Sequence, residues 1–192
     1  MPGEQTDRDE RTAAASPPTP EIKLEPYQRL KSSLERGNYT NLECLPVEAE
    51  EIIGKLTGEL VGTHTIMRVR IPKEGKDFTR VLSDFASLAP EAARAEIDEN
   101  IGVAQNFADL LEKTSQVSEK PVLAIIENLQ NVTRGRGRDD LIRVVRALYN
   151  GRANSRNLKN LTFLLVADQN PSSLLKSPGT PYNIGENISL SD

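Results

Sequence analysis

The chain has 192 residues, 37% of them hydrophobic, 27% charged and 4% aromatic, with no Trp. One cysteine, Cys44, and one histidine, His64, exclude a disulfide framework, a cysteine zinc site and a multi-histidine metal centre. Twenty-four basic against 28 acidic residues leave a formal charge of −4, which selects no partner, and no stretch approaches the roughly 18 consecutive apolar residues of a membrane span.

Residues 1–23 combine charge, Ser/Thr/Ala and four prolines without apolar periodicity. Such a segment buries too little apolar surface to offset its ordering entropy and reads as a disordered arm. The apolar h-region of a secretory signal is missing, so the chain is expected to be soluble and cytoplasmic. From Leu24 the pattern turns globular. Tyr27, Leu30 and Leu34 share one face of a short helix ended by Gly37. Tyr39 to Leu45 suits a strand, and Pro46 sits at the first position of a helix running to Val61, with Ile52, Ile53, Leu56 and Leu60 on its apolar face.

Residues 65–71, Thr-Ile-Met-Arg-Val-Arg-Ile, read as a second strand stopped by Pro72, followed by helices over about 76–88 and 101–116. Pro121 to Ile126 is apolar throughout, as a central parallel strand covered on both faces should be. A helix over about 138–150 leads to another buried-type strand, Leu161 to Ala167. Alternating strands and helices of these lengths predict one α/β domain, a parallel sheet in three layers.

Ligands in such a sheet bind at the carboxyl ends of the strands. Four ends therefore matter: Leu45-Pro46, Ile71-Pro72, Glu127-Asn128 and Asp168-Gln169-Asn170. In a P-loop NTPase the end of the central strand holds an Asp on Mg²⁺, often followed by a Glu that activates water. Here Glu127 takes the metal place, and Asn128, no base at neutral pH, takes the other. Gly75-Lys76 offers a phosphate anchor, but a phosphate loop needs G-x-x-x-x-G-K-S/T. The first glycine is replaced by Arg70 and the hydroxyl by Asp77. Gly54-Lys55 lies inside a predicted helix. His64 precedes a strand with no G-x-S-x-G elbow anywhere, so a hydrolase triad is not expected.

Residues 134–159 carry eight basic side chains, among them Arg134, Arg136, Arg138, Arg143, Arg146, Arg152, Arg156 and Lys159, against Asp139 and Asp140. Such a stretch could meet phosphate backbones, although no aromatic residues interleave for base stacking.

The last third carries a denser signal: Asp140 to Arg143, Ala147-Leu148-Tyr149-Asn150-Gly151-Arg152-Ala153, Pro171-Ser172-Ser173-Leu174, and Thr180-Pro181-Tyr182-Asn183-Ile184-Gly185 through Leu190. Over about 50 residues this resembles the AAA-like ATPase domain of STAND-type P-loop NTPases of bacterial signalling proteins. The resemblance implies a three-layer P-loop NTPase-type domain over 24–192, stopping where that family continues into a winged-helix region. It also implies where the phosphate loop should fall. With Gly37-Asn38-Tyr39 on the family's G-x-F/Y, its R-Q-M-G-K-S-S falls on 46–52. Its glycine becomes Ala49, its lysine Glu50 and its hydroxyls Glu51 and Ile52.

Glu50 precedes Glu127 by 77 residues and Lys76 precedes it by 51, and the longer gap leaves room for the intervening elements. Carboxylates replace the cation that should hold a triphosphate, reversing the sign of the interaction. The expectation is a catalytically degenerate AAA-like domain, a pseudo-ATPase without cofactor, serving as a regulatory or protein-interaction module. The alternatives are a divergent ATPase that binds ATP and Mg²⁺ through Lys76 or Lys55, and a nucleic-acid-associated module working through 134–159.

Overall fold

The computed structural model describes residues 24–95, 97–133, 136–174 and 184–190, with the side chains of Arg136 and Ser172 outside that description. The expected arm over 1–23 and the Thr180–Asn183 motif therefore lie outside the described residues. In chain order the elements are α1 (Leu24–Glu35), β1 (Thr40–Glu43), α2 (Pro46–Leu60), β2 (Thr65–Arg70), α3 (Phe78–Leu88), α4 (Glu91–Arg94), α5 (Val103–Val117), β3 (Val122–Glu127), α6 (Arg136–Gly151), α7 (Arg156–Lys159), β4 (Leu161–Ala167), α8 (Pro171–Leu174) and β5 (Glu186–Ser189). A single 3₁₀ turn, Leu129–Asn131, follows β3.

The five strands form one parallel sheet in the order β2-β3-β4-β1-β5. β3 and β4 lie inside it, and every residue of both is buried, which is why their sequences are apolar on both faces. Helices α1 and α2 cover one face, setting Tyr27, Leu30, Ile53 and Leu56 against Leu42, Leu123, Ile125 and Leu164. Helices α3, α5 and α6 cover the other, with Val81, Phe85, Phe107, Leu110, Leu141 and Val145 on Met67, Val69, Ala124, Ile126 and Phe163. Phe107 stands edge-on to Phe78 and Phe85 at centroid distances of 5.3 and 5.2 Å. The expected three-layer α/β sheet is what the chain forms.

The expected elements are present with ends shifted by one to three residues. The largest strand change is at β1, which is confined to Thr40–Glu43. The 76–88 helix starts at Phe78 because the Asp77 carboxylate accepts from the Arg80 N–H and caps it. β5 has no expected counterpart. It is four residues long with only Ile188 buried, so no period betrays it. Its place is set by β1, where the Asn41 side-chain amide donates to Asn187 Oδ1 at 2.9 Å. No described helix is long and apolar enough to cross a membrane.

Gly185 enters β5 with φ +81°, and a Cβ there would stand 2.3 Å from the Tyr39 carbonyl oxygen. Gly185→Ala is expected to destabilise the domain by at least about 1–3 kcal/mol, since a left-handed backbone and a backbone clash add. Gly54→Ala, in α2 with nothing within 4 Å of its Cβ position, should instead stabilise by about 0.4–1 kcal/mol. Urea unfolding of the two variants distinguishes these outcomes.

Candidate functional site

At the carboxyl end of the sheet, β3 ends in a carboxylate. Glu127 is 1% exposed. A buried carboxylate must be paired, and the pairing comes from the neighbouring edge strand. Arg68 pairs in register with Ile125 and Arg70 with Glu127, so the period of two puts both arginines on the face where Glu127 projects. Arg68 donates from Nε to Oε1 and from Nη2 to Oε2 at 3.1 Å. Arg70 donates from Nε and Nη2 to Oε2, both at 3.3 Å. Four guanidinium N–H bonds thus reach one carboxylate, about the number of acceptor sites it has.

Arg70 also donates from Nη1 to Glu50 Oε1 at 3.3 Å, tying the β2 edge to the second turn of α2. The set Arg68, Arg70, Glu127 and Glu50 is electroneutral as it stands. In the sequence Arg68 belongs to no motif, and Arg70 stands out only as the residue in place of a phosphate loop's first glycine. The available signal was a strand alternating apolar with Arg at 68 and 70, which demands an acidic neighbour on the same face.

The 46–52 segment, where the resemblance puts a phosphate loop, is helix from its first residue. Only Cys44 and Leu45 separate β1 from α2, and the Cys44 N–H donates to the Ala167 carbonyl, extending the sheet. Pro46 contributes no N–H, and Glu48 Oε2 accepts the Leu45 N–H at 2.9 Å, so the helix start is occupied by the chain's own carboxylate. Ala49 and Ile52 are buried against the α1–α2 face, Glu51 is half-buried and Glu50 is exposed. Burial, helped by Glu48 and Glu127, pushes the Cys44 thiol up to about 12, which keeps it protonated and unreactive.

Asn128 adopts φ +59°, the one non-glycine residue at positive φ among those described, and its Nδ2 donates to the Ile71 carbonyl at 3.1 Å. It straps the end of β2 to β3. Lys76 stands apart from Glu127. Its ammonium pairs with Asp84 of α3, and its carbonyl accepts the Thr133 N–H. The turn before it needs Gly75 at φ +84°, because a Cβ there would lie 2.9 Å from the Asn131 carbonyl. Lys55 sits over the Tyr27 ring, 4.3 Å from its centroid.

At the end of β4, Asp168 and Gln169 are exposed and Asn170 is half-buried. Arg134 lies outside the described residues, as does the Arg136 side chain. Arg138 is 6% exposed and donates to the Gln130 carbonyl at 3.2 Å, so it faces inward rather than toward a phosphate backbone. His64 stands at the opposite, amino, end of β2 against the Thr63 hydroxyl at 2.9 Å.

The order β2-β3-β4-β1-β5, with the helix that follows β1 beginning at its carboxyl end and an acidic residue closing β3, is that of a P-loop NTPase-like fold. Solved structures of similar fold accompany it. Cdc6p from Pyrobaculum aerophilum superimposes with a TM-score of 0.60 at 13% identity, covering 92% of this chain and 47% of that one. The Aeropyrum pernix ORC2 protein, in ADPNP–ADP complexes, gives 0.55 at 16% identity over 90% of this chain and 48% of that one. Drosophila ORC bound to AT-rich DNA and Cdc6 gives 0.52 at 15% identity over 81% and 49%. The chain thus spans about half the length of these structures. No protein-family model and no curated protein matches it.

The pairing around Glu127 is testable by stability. Replacing both Arg68 and Arg70 with Met leaves a buried charge alone and should cost about 3–5 kcal/mol. Adding Glu127→Met to that variant should recover most of the loss, because an apolar set of similar volume replaces the ion pairs. Urea denaturation reads both steps, and a triple variant no more stable than the double would contradict the account.

Proposed function

We propose that the chain is a catalytically degenerate AAA-like domain, a pseudo-ATPase that serves as a regulatory or protein-interaction module. The observation that carries this reading is the arginine pair on Glu127. A Mg²⁺ held near β3 would need a carboxylate with lone pairs to spare, and those of Glu127 are committed to Arg68 and Arg70. A triphosphate would need a loop of converging N–H groups and a lysine. The β1–α2 connection has two residues, Glu50 replaces the lysine, and Glu48 already sits on the helix start. The residues present do not fit a magnesium nucleotide. Both alternative lysines, Lys76 and Lys55, are engaged elsewhere.

A role in protein contact is supported by the same edge. Leu45 and Val47 are 58% and 63% exposed beside Pro46, next to the exposed Glu50. Calorimetric titration with ATP, with and without Mg²⁺, should give no saturable heat. Measurable ATP turnover lost in Glu127→Gln would overturn the proposal.

A second reading, association with DNA, draws on the basic α6–α7 region and on the DNA-bound Drosophila complex of similar fold. Several of its cations are occupied: Arg143 pairs with Asp140, and Arg152 stacks 5.3 Å from the Tyr39 ring centre and donates to the Lys159 carbonyl. If this region binds, duplex affinity measured by anisotropy should fall by about an order of magnitude or more between 50 and 200 mM salt and weaken in Arg156→Gln/Lys159→Gln. Absence of binding at the lower salt ends that reading.

A further inference from the structure

On the other side of β1 from the Glu127 cluster, a cleft of about 350 Å³ opens between the first turn of α1, the end of β1, the segment after β4, and β5. Its position has a topological cause. β1 sends its connection toward β2 at one edge of the sheet, whereas its neighbour β4 leads to β5 on the far side of β1. The carboxyl-end crevice at such a reversal is where open α/β sheets take ligands. The volume lies at the low end of the roughly 300–1,000 Å³ range of ligand pockets and suits a group the size of one long side chain.

Arg29 is the one cation among the residues lining the cleft, beside carboxylates and carboxamides. Arg29 is spent on β5, donating from Nε to Glu186 Oε1 at 2.6 Å and from Nη2 to the Asn187 carbonyl at 3.4 Å. That contact holds the Glu186 carboxyl below its ordinary range. Asn41, 4% exposed, commits its amide group to the Ile184 carbonyl at 3.2 Å and to Asn187 Oδ1 at 2.9 Å. Its remaining capacity is a carbonyl oxygen, an acceptor.

Two carboxylates complete the lining, Glu25 of α1 and Glu43 of β1. Neither makes a hydrogen bond or ion pair with any described residue, although Glu43 is half-buried. A half-buried carboxylate without a partner is unfavourable and is relieved by an incoming cation. Glu186 is shared with Arg36, 3.9 Å away, so among the lining residues Glu25 and Glu43 face the single cation Arg29 and leave the cleft net negative.

We propose that this cleft binds a guanidinium group, held between Glu25 and Glu43 and hydrogen-bonded to the carboxamide oxygens of its walls. A guanidinium is planar, weakly hydrated and rich in donors, and it pairs with carboxylates in a fixed two-pronged geometry that a compact ammonium lacks. The group could belong to a free small molecule or to an arginine side chain of another protein. Both share one chemistry, and the proposal does not depend on whether the domain binds nucleotide.

The full chain would be titrated by NMR with agmatine, with a pentapeptide carrying one central arginine, and with the same peptide carrying citrulline, a neutral analogue of similar shape. Saturable shifts at Asn41, Glu43 and Asn187 are expected with agmatine, with the arginine peptide, or with both. Agmatine alone marks a small-molecule site, and peptide binding marks a protein side chain. Glu43→Gln should weaken binding about tenfold or more while the thermal midpoint stays the same or rises, because an unpaired carboxylate has been removed. Glu25→Gln, at an exposed position, should weaken it by less. The proposal is overturned if neither guanidinium ligand saturates, if citrulline binds as well as arginine, or if Glu43→Gln, folded as judged by its spectrum, binds unchanged.

Discussion

The carboxyl edge of this domain is organised around the cost of burying one charge. Glu127 ends the strand between β2 and β4, where almost no water reaches it. A carboxylate in that position must draw cations to itself, and the edge strand supplies two of them from alternate positions. The consequences extend outward. Arg68 and Arg70 fasten β2 to β3 through side chains as well as the ladder, and Arg70 continues to Glu50 and so joins the sheet edge to α2. The cluster neutralises itself, and its buried member, Glu127, would be costly to leave behind if the arginines were removed.

The start of α2 differs from a phosphate-binding loop in geometry as much as in chemistry. A phosphate-binding loop is a detour in the chain that lets several N–H groups converge. Here the chain passes from strand to helix through two residues, one of them still bonded to β4. The helix start is then satisfied by Glu48 from within. A lysine at position 50 would stand on helical backbone, with no loop of converging N–H groups beside it. The fold and the site on it are separable, and the packing that defines the former makes no use of the latter.

β1 divides the carboxyl edge into two electrostatic regimes. Toward β3 and β2 every described carboxylate of the cluster has a guanidinium, and the surface there is closed by ion pairs. Toward β5 Glu186 takes both Arg29 and Arg36, and Glu25 and Glu43 stand without partners around an open cleft. The same strand thus separates a region that satisfies its own charge from one that does not.

The sequence by itself determined the parts of this protein that depend on which residues leave water. β3 and β4 were readable as unbroken apolar runs, and α1 and α2 as stripes at the helical period. Their alternation was enough to imply a parallel three-layer sheet. Tertiary structure decided what periodicity cannot carry, namely which side chain meets which. Glu127 was visible as a polar strand end, but its partners lie 57 and 59 residues earlier in the chain and are adjacent only through strand pairing. β5 was invisible because it is a strand by virtue of its neighbour rather than its composition. The cleft was invisible because four separate segments build it. Burial leaves its mark on local sequence; partnership between distant residues is fixed only when the chain closes on itself.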